Sequence, residues 1–395
     1  MSSAGDIRWD PYNYSFADDP YPTYARLREE VPLYYNEEHD FYAVSRYTDC
    51  QKGLGDWETY SSARGGILEL IKSGFVAPPG TLIFEDPPVH DIHRKLLARV
   101  FTPRRVATLE PQVRAFCARA LDTVADEDRF DLVQALSIDM PMRVIGMLLG
   151  IPESDQEAIR DSGNERLRTE KGGKMEISGD DFGFEAFREY ITWRKDNPSD
   201  DLMTELMNAE FEDENGVRRT LTDDEILVYC TVVAGAGNET TGRLIGWIGA
   251  VLARHPEQRR ILVEEPALIP GAIEEILRFE PTGPFIARYV TKDTEVHGQT
   301  VPEGSAMMFL VAAANRDPRR FDNPDRFDVR RVNQTLTFGV GAHYCLGAAL
   351  ARLEGRVAME EILRRWPEWD VDWDNTKLAQ TSTVRGWETL PLIVR

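Results

Sequence analysis

The most informative stretch of this sequence reads Phe338-Gly339-Val340-Gly341-Ala342-His343-Tyr344-Cys345-Leu346-Gly347. Two glycines two positions apart permit positive φ and a close approach of the backbone. A lone cysteine follows, directly before a run of good helix formers at residues 346 to about 363. The pattern predicts a tight loop that brings the Cys345 sulfur to a helix N-terminus, where the helix dipole favours thiolate over thiol.

A thiolate beneath a flat metal macrocycle ligates haem iron where O–O cleavage is promoted. The order of residues in this stretch resembles the haem-binding signature of the cytochrome P450 family. The matching positions are Phe338, Gly339, Gly341, His343, Cys345 and Gly347. The resemblance implies Cys345 as the iron ligand of a haem b (iron protoporphyrin IX) and Phe338, Gly339, His343 and Gly347 as cofactor-binding residues. The alternative is a structural buried cysteine beside a glycine-rich turn.

The composition of the chain argues against nucleic-acid-binding and membrane proteins. The 395 residues include 46 basic and 67 acidic side chains, a net charge of −21, which argues against nucleic-acid binding and favours repulsion from anionic membranes. The N-terminus lacks a secretory signal, and no run approaches the roughly 18 to 20 apolar residues that span a bilayer. No linker or repeat divides the chain, so we predict one domain over residues 1–395.

Four scattered cysteines, Cys50, Cys117, Cys230 and Cys345, suit a reducing cytoplasm without a disulfide framework. We predict that the first three are core residues. The expected protein is therefore cytoplasmic, without membrane attachment, and we expect it to be a monomer.

The N-terminal part predicts a helix at residues 20–30 and a β-hairpin that pairs 33–35 with 41–45. Residues 61–84 are irregular and rich in glycine and proline, with aliphatic side chains among them. In the P450 family this stretch covers the distal pocket, which implies Ile67 and Leu68 as substrate contacts.

The helix that opens near residue 85 places His90 and Arg94 on one face. Both supply charge-assisted donors, which suit a ligand with two carboxylates. Their match to the family pattern Asp-Pro-Pro-x-His-x-x-x-Arg implies that both bind haem propionates. The alternative is an ordinary solvated helix face. His93 lies off this pair and is predicted to be a surface residue.

Residues 90–105 carry five basic residues against one acidic residue, a local basic patch on an acidic protein. We predict that Arg99, Arg104 and Arg105 dock an acidic electron-transfer protein on the thiolate side.

Helices are expected at residues 112–125 and 131–149, and again at 184–193. Between them, residues 163–183 are polar and contain glycines. A loop of this size is usually functional or mobile. It falls where the family carries the lid over the substrate channel, so mobility is expected there.

A capping box, Thr222-x-x-Glu225, begins a helical run that stops at Pro256. Roughly 32 residues at 1.5 Å each give about 48 Å, enough to cross a domain. Its middle, residues 236–241, resembles the family's oxygen-activation motif, which implies Glu239 as the catalytic acid and Thr240 as the catalytic alcohol. A purely structural Thr240 that bonds back to a helix carbonyl is the alternative. Val233 and Ala236 are substrate-pocket candidates.

The pair Glu275 and Arg278 is by itself a common surface pattern. At the family's order and spacing it implies a buried structural pair, with a third partner expected among the arginines of residues 315–328. Beyond it, Arg288 matches a propionate-binding position. Phe285 and Ile286 are pocket candidates, and Val384 lies in a turn that resembles the one entering the pocket from below.

The resemblance covers residues 20–392 and implies a mainly α fold with small β-sheets, the cytochrome P450 fold in a single large domain. The implied activity is monooxygenation of a small or medium apolar molecule (a terpenoid, steroid, fatty acid or aromatic). Electrons are expected from a ferredoxin and ferredoxin reductase. The alternatives are a peroxide-driven peroxygenase and a non-catalytic haem sensor or carrier; Glu239 and Thr240 argue against both.

Overall fold

The computed structural model describes residues 7–13, 18–156, 185–332, 334–379, 381 and 383–394. Helices dominate the fold, as predicted. The α-helices in chain order are α1 (Tyr21–Glu30), α2 (Tyr47–Gly55), α3 (Leu68–Ser73), α4 (Val89–Ala98), α5 (Pro103–Thr108), α6 (Glu110–Asp122), α7 (Asp139–Leu149), α8 (Glu185–Asp196), α9 (Leu202–Asn208), α10 (Asp223–Arg254), α11 (Pro256–Glu264), α12 (Ile269–Phe279), α13 (Val311–Ala314) and α14 (Ala348–Arg365). Within the described ranges, no helix is both long and apolar enough to cross a membrane.

The strands form small sheets around the helices. They are β1 (Leu33–Asn36), β2 (Phe41–Val44), β3 (Tyr60–Ser61), β4 (Arg129–Asp131), β5 (Phe211–Glu212), β6 (Arg218–Arg219), β7 (Ile286–Val290), β8 (Thr294–Val296), β9 (Gln299–Val301), β10 (Ala306–Phe309), β11 (Trp369–Val371), β12 (Lys377–Leu378), β13 (Trp387–Thr389) and β14 (Pro391–Val394). The largest sheet has the order β1-β2-β10-β7-β3.

The predicted hairpin is β1–β2, which pairs Leu33 with Val44 and Asn36 with Phe41. Strand β2 continues the sheet by parallel pairing with β10. Further sheets have the orders β11-β14-β4, β12-β13, β5-β6 and β8-β9. Strand β7 of the largest sheet carries Arg288, one of the predicted cofactor-binding residues.

The central helix α10 begins with the predicted capping box. The Thr222 side chain accepts the Glu225 N–H at 3.3 Å, and Glu225 Oε2 accepts the Thr222 N–H at 2.8 Å. Close packing leaves no room for a side chain at two glycines of α10, Gly237 and Gly242. A Cβ on Gly237 would lie 2.5 Å from Ile145 Cδ1 and one on Gly242 would lie 2.5 Å from the Ser137 carbonyl oxygen, whereas Gly235 faces open space.

The main core lies between α10, α14, α6 and α7, and a second cluster lies on the β1–β2–β10–β7 side. Cys50, Cys117 and Cys230 are buried and free, which confirms their prediction as core residues. Burial raises the pKa of the Cys117 and Cys230 thiols to about 12.

Two predictions of secondary structure differ from the structure. Residues 131–149 divide into the end of β4, a π-helix (Val133–Ser137) and α7. Residues 61–84 are not wholly irregular, because they contain α3 and a 3₁₀ turn, Leu82–Phe84. The predicted helices at 112–125 and 184–193 correspond to α6 and α8. Residues 163–183, the predicted lid, lie outside the described residues.

Candidate functional site

The cysteine loop has the predicted form. Gly339 and Gly341 both adopt φ of +69°, and the Cys345 N–H donates to the Phe338 carbonyl at 2.7 Å. Helix α14 begins at Ala348 with Gly347 at its N-cap, two residues later than predicted. A side chain at 341 would crowd α2, because its Cβ would lie 3.3 Å from Gly55 Cα.

The Cys345 residue is exposed to a cavity of about 160 Å³ rather than packed in the core. The cavity is lined by Leu54, Ile286, Arg288, Thr337, Phe338, Gly339, Val340, His343 and Cys345. Although the residue borders the cavity, protein atoms around its sulfur displace bulk water, and this desolvation raises the pKa of the Cys345 thiol. The backbone N–H of Gly347 and the charge of Arg94 oppose this rise, so the helix N-terminus acts as predicted but burial outweighs it.

We call this cavity the thiol cavity. Two nitrogen-bearing side chains, Arg288 and His343, line it, and His90 lies next to His343. Arg288 is buried, and burial lowers its pKa to about 10. The rings of His343 and His90 lie 4.4 Å apart. Burial, followed by the charge of Arg288, lowers the pKa of His343 to about 3, and burial also lowers that of His90. Both imidazoles are therefore neutral at pH 7.

The Nε2 atoms of His90 and His343 are buried and have no hydrogen-bond partner among the described residues. A buried polar atom without a partner is costly. These two nitrogens and the Arg288 guanidinium fit a group that brings carboxylates to a cysteine thiol, as haem does.

Arg94 lies between α4 and the cysteine loop. Its Nη2 donates to the Tyr344 carbonyl at 2.6 Å, so it anchors the residue before Cys345. His93 is buried, with Nδ1 2.6 Å from Glu85 Oε2. Its prediction as a surface residue is wrong, because the face of α4 that carries it packs inward near Tyr229.

The two predicted catalytic residues make different contacts on α10. The Thr240 hydroxyl donates to the Ala236 carbonyl at 2.8 Å, which is the back-bond that sequence reasoning considered as an alternative. Glu239 Oε1 lies 2.8 Å from Arg243 Nη2, and its Oε2 is buried without a partner among the described residues. Glu239 lines a second cavity of about 200 Å³.

Glu275 and Arg278 form the predicted buried pair. Arg278 Nε lies 2.7 Å from Glu275 Oε2, and both side chains are fully buried. The third partner is Arg331, whose Nε lies 3.2 Å from Glu275 Oε1. The expectation of an arginine within 315–328 is therefore wrong. Arg326 contributes its carbonyl to Arg278 instead.

This pair connects to the cysteine loop through residues that sequence reasoning missed. Arg278 donates to the Asn315 carbonyl at 3.0 Å. The Asn315 side chain accepts the Leu336 N–H at 2.8 Å and donates to Thr337 Oγ1 at 2.9 Å. Leu336 in turn accepts the N–H of Gly339 at 2.8 Å. The buried pair therefore supports the start of the loop that carries Cys345.

Three of the seven pocket candidates line the cavities bounded by described residues, in two different places. Ile286 lines the thiol cavity, whereas Phe285 and Val384 line a cavity of about 50 Å³ beside Trp9 and Tyr24. The other four lie elsewhere. Leu68 and Val233 are core residues, Ile67 precedes α3, and Ala236 is exposed on α10.

The predicted basic patch is partly neutralised. Arg105 forms an ion pair with Glu205. Arg99 and Arg104 are exposed.

Comparison with known proteins identifies the family. A family model described as Cytochrome P450 matches residues 183–384. The putative cytochrome P450 123 of Mycobacterium tuberculosis (strain ATCC 25618 / H37Rv) is 37% identical over 393 residues, covering 98% of this chain and 96% of that protein. The erythromycin C-12 hydroxylase of Saccharopolyspora erythraea is 35% identical over 386 residues, covering 93% and 92%.

The crystal structure of a post-tailoring hydroxylase (HmtN) involved in himastatin biosynthesis superposes with a TM-score of 0.83 at 33% identity and covers 100% of both chains. The predicted fold, mainly α with small β-sheets, is confirmed. On the evidence of its fold and of these relatives, the chain belongs to the cytochrome P450 family, whose members are haem-dependent monooxygenases.

Proposed function

We propose that this P450 monooxygenase binds haem b through Cys345 and hydroxylates an apolar organic molecule. The observation that carries the proposal is the thiol cavity, which is lined by Cys345, His343 and Arg288 together and has the His90 ring beside His343. Carboxylates of the haem would give His90 Nε2 and His343 Nε2 the partners that they lack. Arg288 already donates from Nη1 to the Ala287 carbonyl, and its other N–H groups would form charge-assisted bonds to a carboxylate. No other exposed cysteine exists among the described residues.

Each loop residue has an assigned part in holding the group. Cys345 Sγ is the iron ligand. One of the five N–H groups of Arg94 donates to the Tyr344 carbonyl, and the others can donate to a carboxylate. The Phe338 carbonyl accepts the Cys345 N–H. Gly339 supplies the positive φ of the loop, and Gly347 is the N-cap of α14.

When bound, the haem supplies the iron at which dioxygen is activated. The balanced reaction is RH + O₂ + 2 e⁻ + 2 H⁺ → ROH + H₂O. The chain must therefore deliver two protons, which we assign to Glu239 and Thr240. Positioned proton donors contribute roughly 10²- to 10⁴-fold to such steps. Because the Thr240 hydroxyl donates to Ala236, its oxygen lone pairs remain available to accept a hydrogen bond.

The substrate is proposed to be an apolar molecule, such as a terpenoid, steroid, fatty acid or aromatic. The pocket candidates predicted from the sequence, among them Ile67, Phe285 and Ile286, are aliphatic or aromatic. The names of two hydroxylase relatives, one for erythromycin and one for himastatin biosynthesis, add these two natural products to the compounds to be tested.

The two electrons are proposed to come from a ferredoxin and its reductase. The docking surface is the exposed corner of α4 and α5 that carries Arg99 and Arg104. Three buried free cysteines suit a reducing compartment, so we place the enzyme in the cytoplasm.

The proposal is tested by the absorption spectrum of the purified protein and of Cys345→Ser. We expect a thiolate-haem Soret band in the unaltered protein and its loss in Cys345→Ser. Cys117→Ser, which changes a core cysteine, is the matched control and should keep the band. A colourless protein, or a band that survives Cys345→Ser, would contradict the proposal.

The same spectrum identifies the substrate class. The ferric protein is titrated with terpenoids, steroids, fatty acids, aromatics, erythromycin and himastatin, and a shift to high spin marks compounds that enter the site. Product formation with O₂, ferredoxin and reductase then tests turnover on the class that shifts the band.

A further inference from the structure

Two segments of the chain are joined by the carboxylate of Glu85. This residue follows the 3₁₀ turn Leu82–Phe84 in the segment between α3 and α4, and its side chain is 12% exposed. Its Oε1 accepts the Gly80 N–H at 2.7 Å, and its Oε2 lies 2.6 Å from Nδ1 of His93 on α4. Because an ionised carboxylate only accepts hydrogen bonds, Nδ1 carries a proton and is the donor. We call Gly80, Glu85 and His93 the Glu85 clamp.

The Glu85 clamp packs against the central helix. His93 is 4% exposed, and the edge of its ring contacts Tyr229 of α10, with the ring centres 6.2 Å apart. Gly80 has φ of +92°, and a Cβ built on it would lie 3.7 Å from the ring of the same tyrosine. Tyr229 is itself fully buried. The end of the α3–α4 segment therefore lies against both α4 and α10.

The two hydrogen bonds of the Glu85 clamp support each other. Both acceptor oxygens belong to one planar carboxylate, so the donor that holds Oε2 also directs Oε1 toward the Gly80 N–H. Hydrogen bonds to a charged group are stronger than those between neutral groups. Without the His93 donor, the largely buried carboxylate would lose one partner and its orientation toward the other. The position of the Gly80 backbone therefore depends on the side chain at 93.

The Glu85 clamp also adjoins the histidines proposed to bind the haem carboxylates. Burial is the main cause of the low pKa of His343, and the backbone of Glu85 opposes it, which places Glu85 beside that imidazole. His90 precedes His93 by three residues on α4, and its ring lies 4.4 Å from that of His343. One residue, Glu85, therefore contacts the α3–α4 segment, α4 and the proposed carboxylate site.

We propose that His93 is a positioning residue for haem binding, which acts through Glu85 to hold His343 and the backbone of residues 80–84 in place. This inference rests on the proposed function, because it explains what keeps His343 directed toward the haem carboxylates. His93 does not line the thiol cavity as the described residues bound it. Its influence on haem therefore passes through Glu85, whereas His343 borders the cavity itself.

The variants His93→Leu and His93→Asn separate positioning from packing. Leucine keeps the buried position filled but has no donor, whereas the asparagine amide can donate from nearly the place of Nδ1. We expect His93→Leu to release haem about tenfold faster than the unaltered protein, because a hydrogen bond to a charged group is lost. His93→Asn should restore most of the haem retention. Transfer of haem to an excess of apomyoglobin measures the release rate, and urea unfolding checks that each variant folds.

Hydrogen exchange of the backbone provides a second measurement, which needs no turnover. The N–H groups of residues 80–84 should exchange faster in His93→Leu and in Glu85→Ala than in the unaltered protein, because the Gly80 N–H loses its oriented acceptor. Mass spectrometry of peptides from this segment measures the rate. Asp49→Ala is the matched control, because Asp49 Oδ2 lies 2.7 Å from His297 Nε2 in a second carboxylate–imidazole pair. It should change neither haem release nor exchange at residues 80–84.

The outcomes separate the two proposals. If the unaltered protein shows a thiolate-haem band and His93→Leu matches it in haem release and exchange, the positioning role of His93 is overturned. Haem release from His93→Asn as fast as from His93→Leu would also overturn it. If His93→Leu does not fold, Glu85→Ala carries both measurements. If the unaltered protein shows no such band, the proposed function fails. Hydrogen exchange then decides on the Glu85 clamp alone, which equal rates in His93→Leu and the unaltered protein would overturn and faster exchange in His93→Leu would support.

Discussion

At the scale of single residues, Glu354 on α14 is a buried acid without an assigned role. It is 1% exposed, and its Oε2 has no hydrogen-bond partner among the described residues. Burial raises its pKa to about 8 from an ordinary value of 4.5. Between these two pH values the unfolded chain has released the proton while the folded chain keeps it. Stability from this group is therefore complete below pH 4.5 and is lost as pH rises toward 8.

Glu354→Gln should remove this pH dependence, because glutamine resembles the protonated acid. We expect the free energy of unfolding of the variant, relative to that of the unaltered protein, to rise by a few kcal/mol between pH 5 and pH 8. Urea unfolding across this range measures it, with the exposed Glu37→Gln as control. If the free energy of unfolding of Glu354→Gln and that of the unaltered protein change in parallel with pH, the buried acid titrates normally and the prediction is wrong.

Gly341 is a second residue whose role is set by local geometry. Its φ is +69°, and an added Cβ would approach the α2 backbone at Gly55. Gly341→Ala should reduce the free energy of unfolding by roughly 1–2 kcal/mol, the cost of a left-handed conformation for an L-residue. Gly283→Ala, where no atom lies within 4 Å of the added Cβ, provides the comparison in denaturant titrations. Equal losses would argue against a special backbone at 341.

At the scale of elements, the connection from α12 to the cysteine loop holds the site in place. Glu275 also accepts the Asp328 N–H at 3.0 Å, so one carboxylate serves an arginine on its own helix and the segment that precedes the loop. The Thr337 hydroxyl donates to the Leu277 carbonyl at 2.6 Å. The loop and the segment before it are thus bound to α12 by the Glu275 carboxylate and by the Leu277 backbone carbonyl.

Breaking this buried pair should cost far more than breaking a surface pair. Glu275→Ala leaves Arg278 charged and buried, and we expect a loss of about 3–5 kcal/mol together with poor haem retention. Glu30→Ala breaks the exposed Arg26–Glu30 pair and should leave the free energy of unfolding almost unchanged, because solvent screens such a pair. Calorimetry and the haem-to-protein absorbance ratio measure both effects. Similar losses in the two variants would refute the structural role of the α12 pair.

At the scale of the whole molecule, charge is distributed unevenly. The chain carries a net −21, yet the α4–α5 corner exposes Lys95, Arg99 and Arg104. These three side chains make no ion pair with any described residue. An acidic partner that approaches an acidic protein is repelled except where such a patch reverses the field.

The double variant Arg99→Glu/Arg104→Glu should slow reduction by ferredoxin about tenfold or more at low salt. The gap should narrow at high salt, because the Debye length falls from about 30 Å at 0.01 M to about 3 Å at 1 M. Stopped-flow reduction measures it. Arg260→Glu, which reverses an exposed arginine on α11, is the matched control. Unchanged reduction of the double variant at low salt would exclude this docking surface.

Short-range sequence patterns were enough to predict several features. The form of the cysteine loop, the capping box of α10 and the β1–β2 hairpin each depend on residues within about a dozen positions of one another. Backbone geometry and helix spacing relate such residues directly, so a pattern in the sequence is also a pattern in space.

Contacts between distant parts of the chain depended on the tertiary structure. Arg331 meets Glu275 across 56 positions, and Arg243 meets the Trp387 carbonyl across 144. The burial of His93 likewise follows from how helices and sheets pack together. A charged side chain looks alike in sequence whether it pairs on the surface or in the interior. The sequence by itself therefore determined which chemistry this protein carries, and only the packing of the folded chain decided which partners each charged group meets.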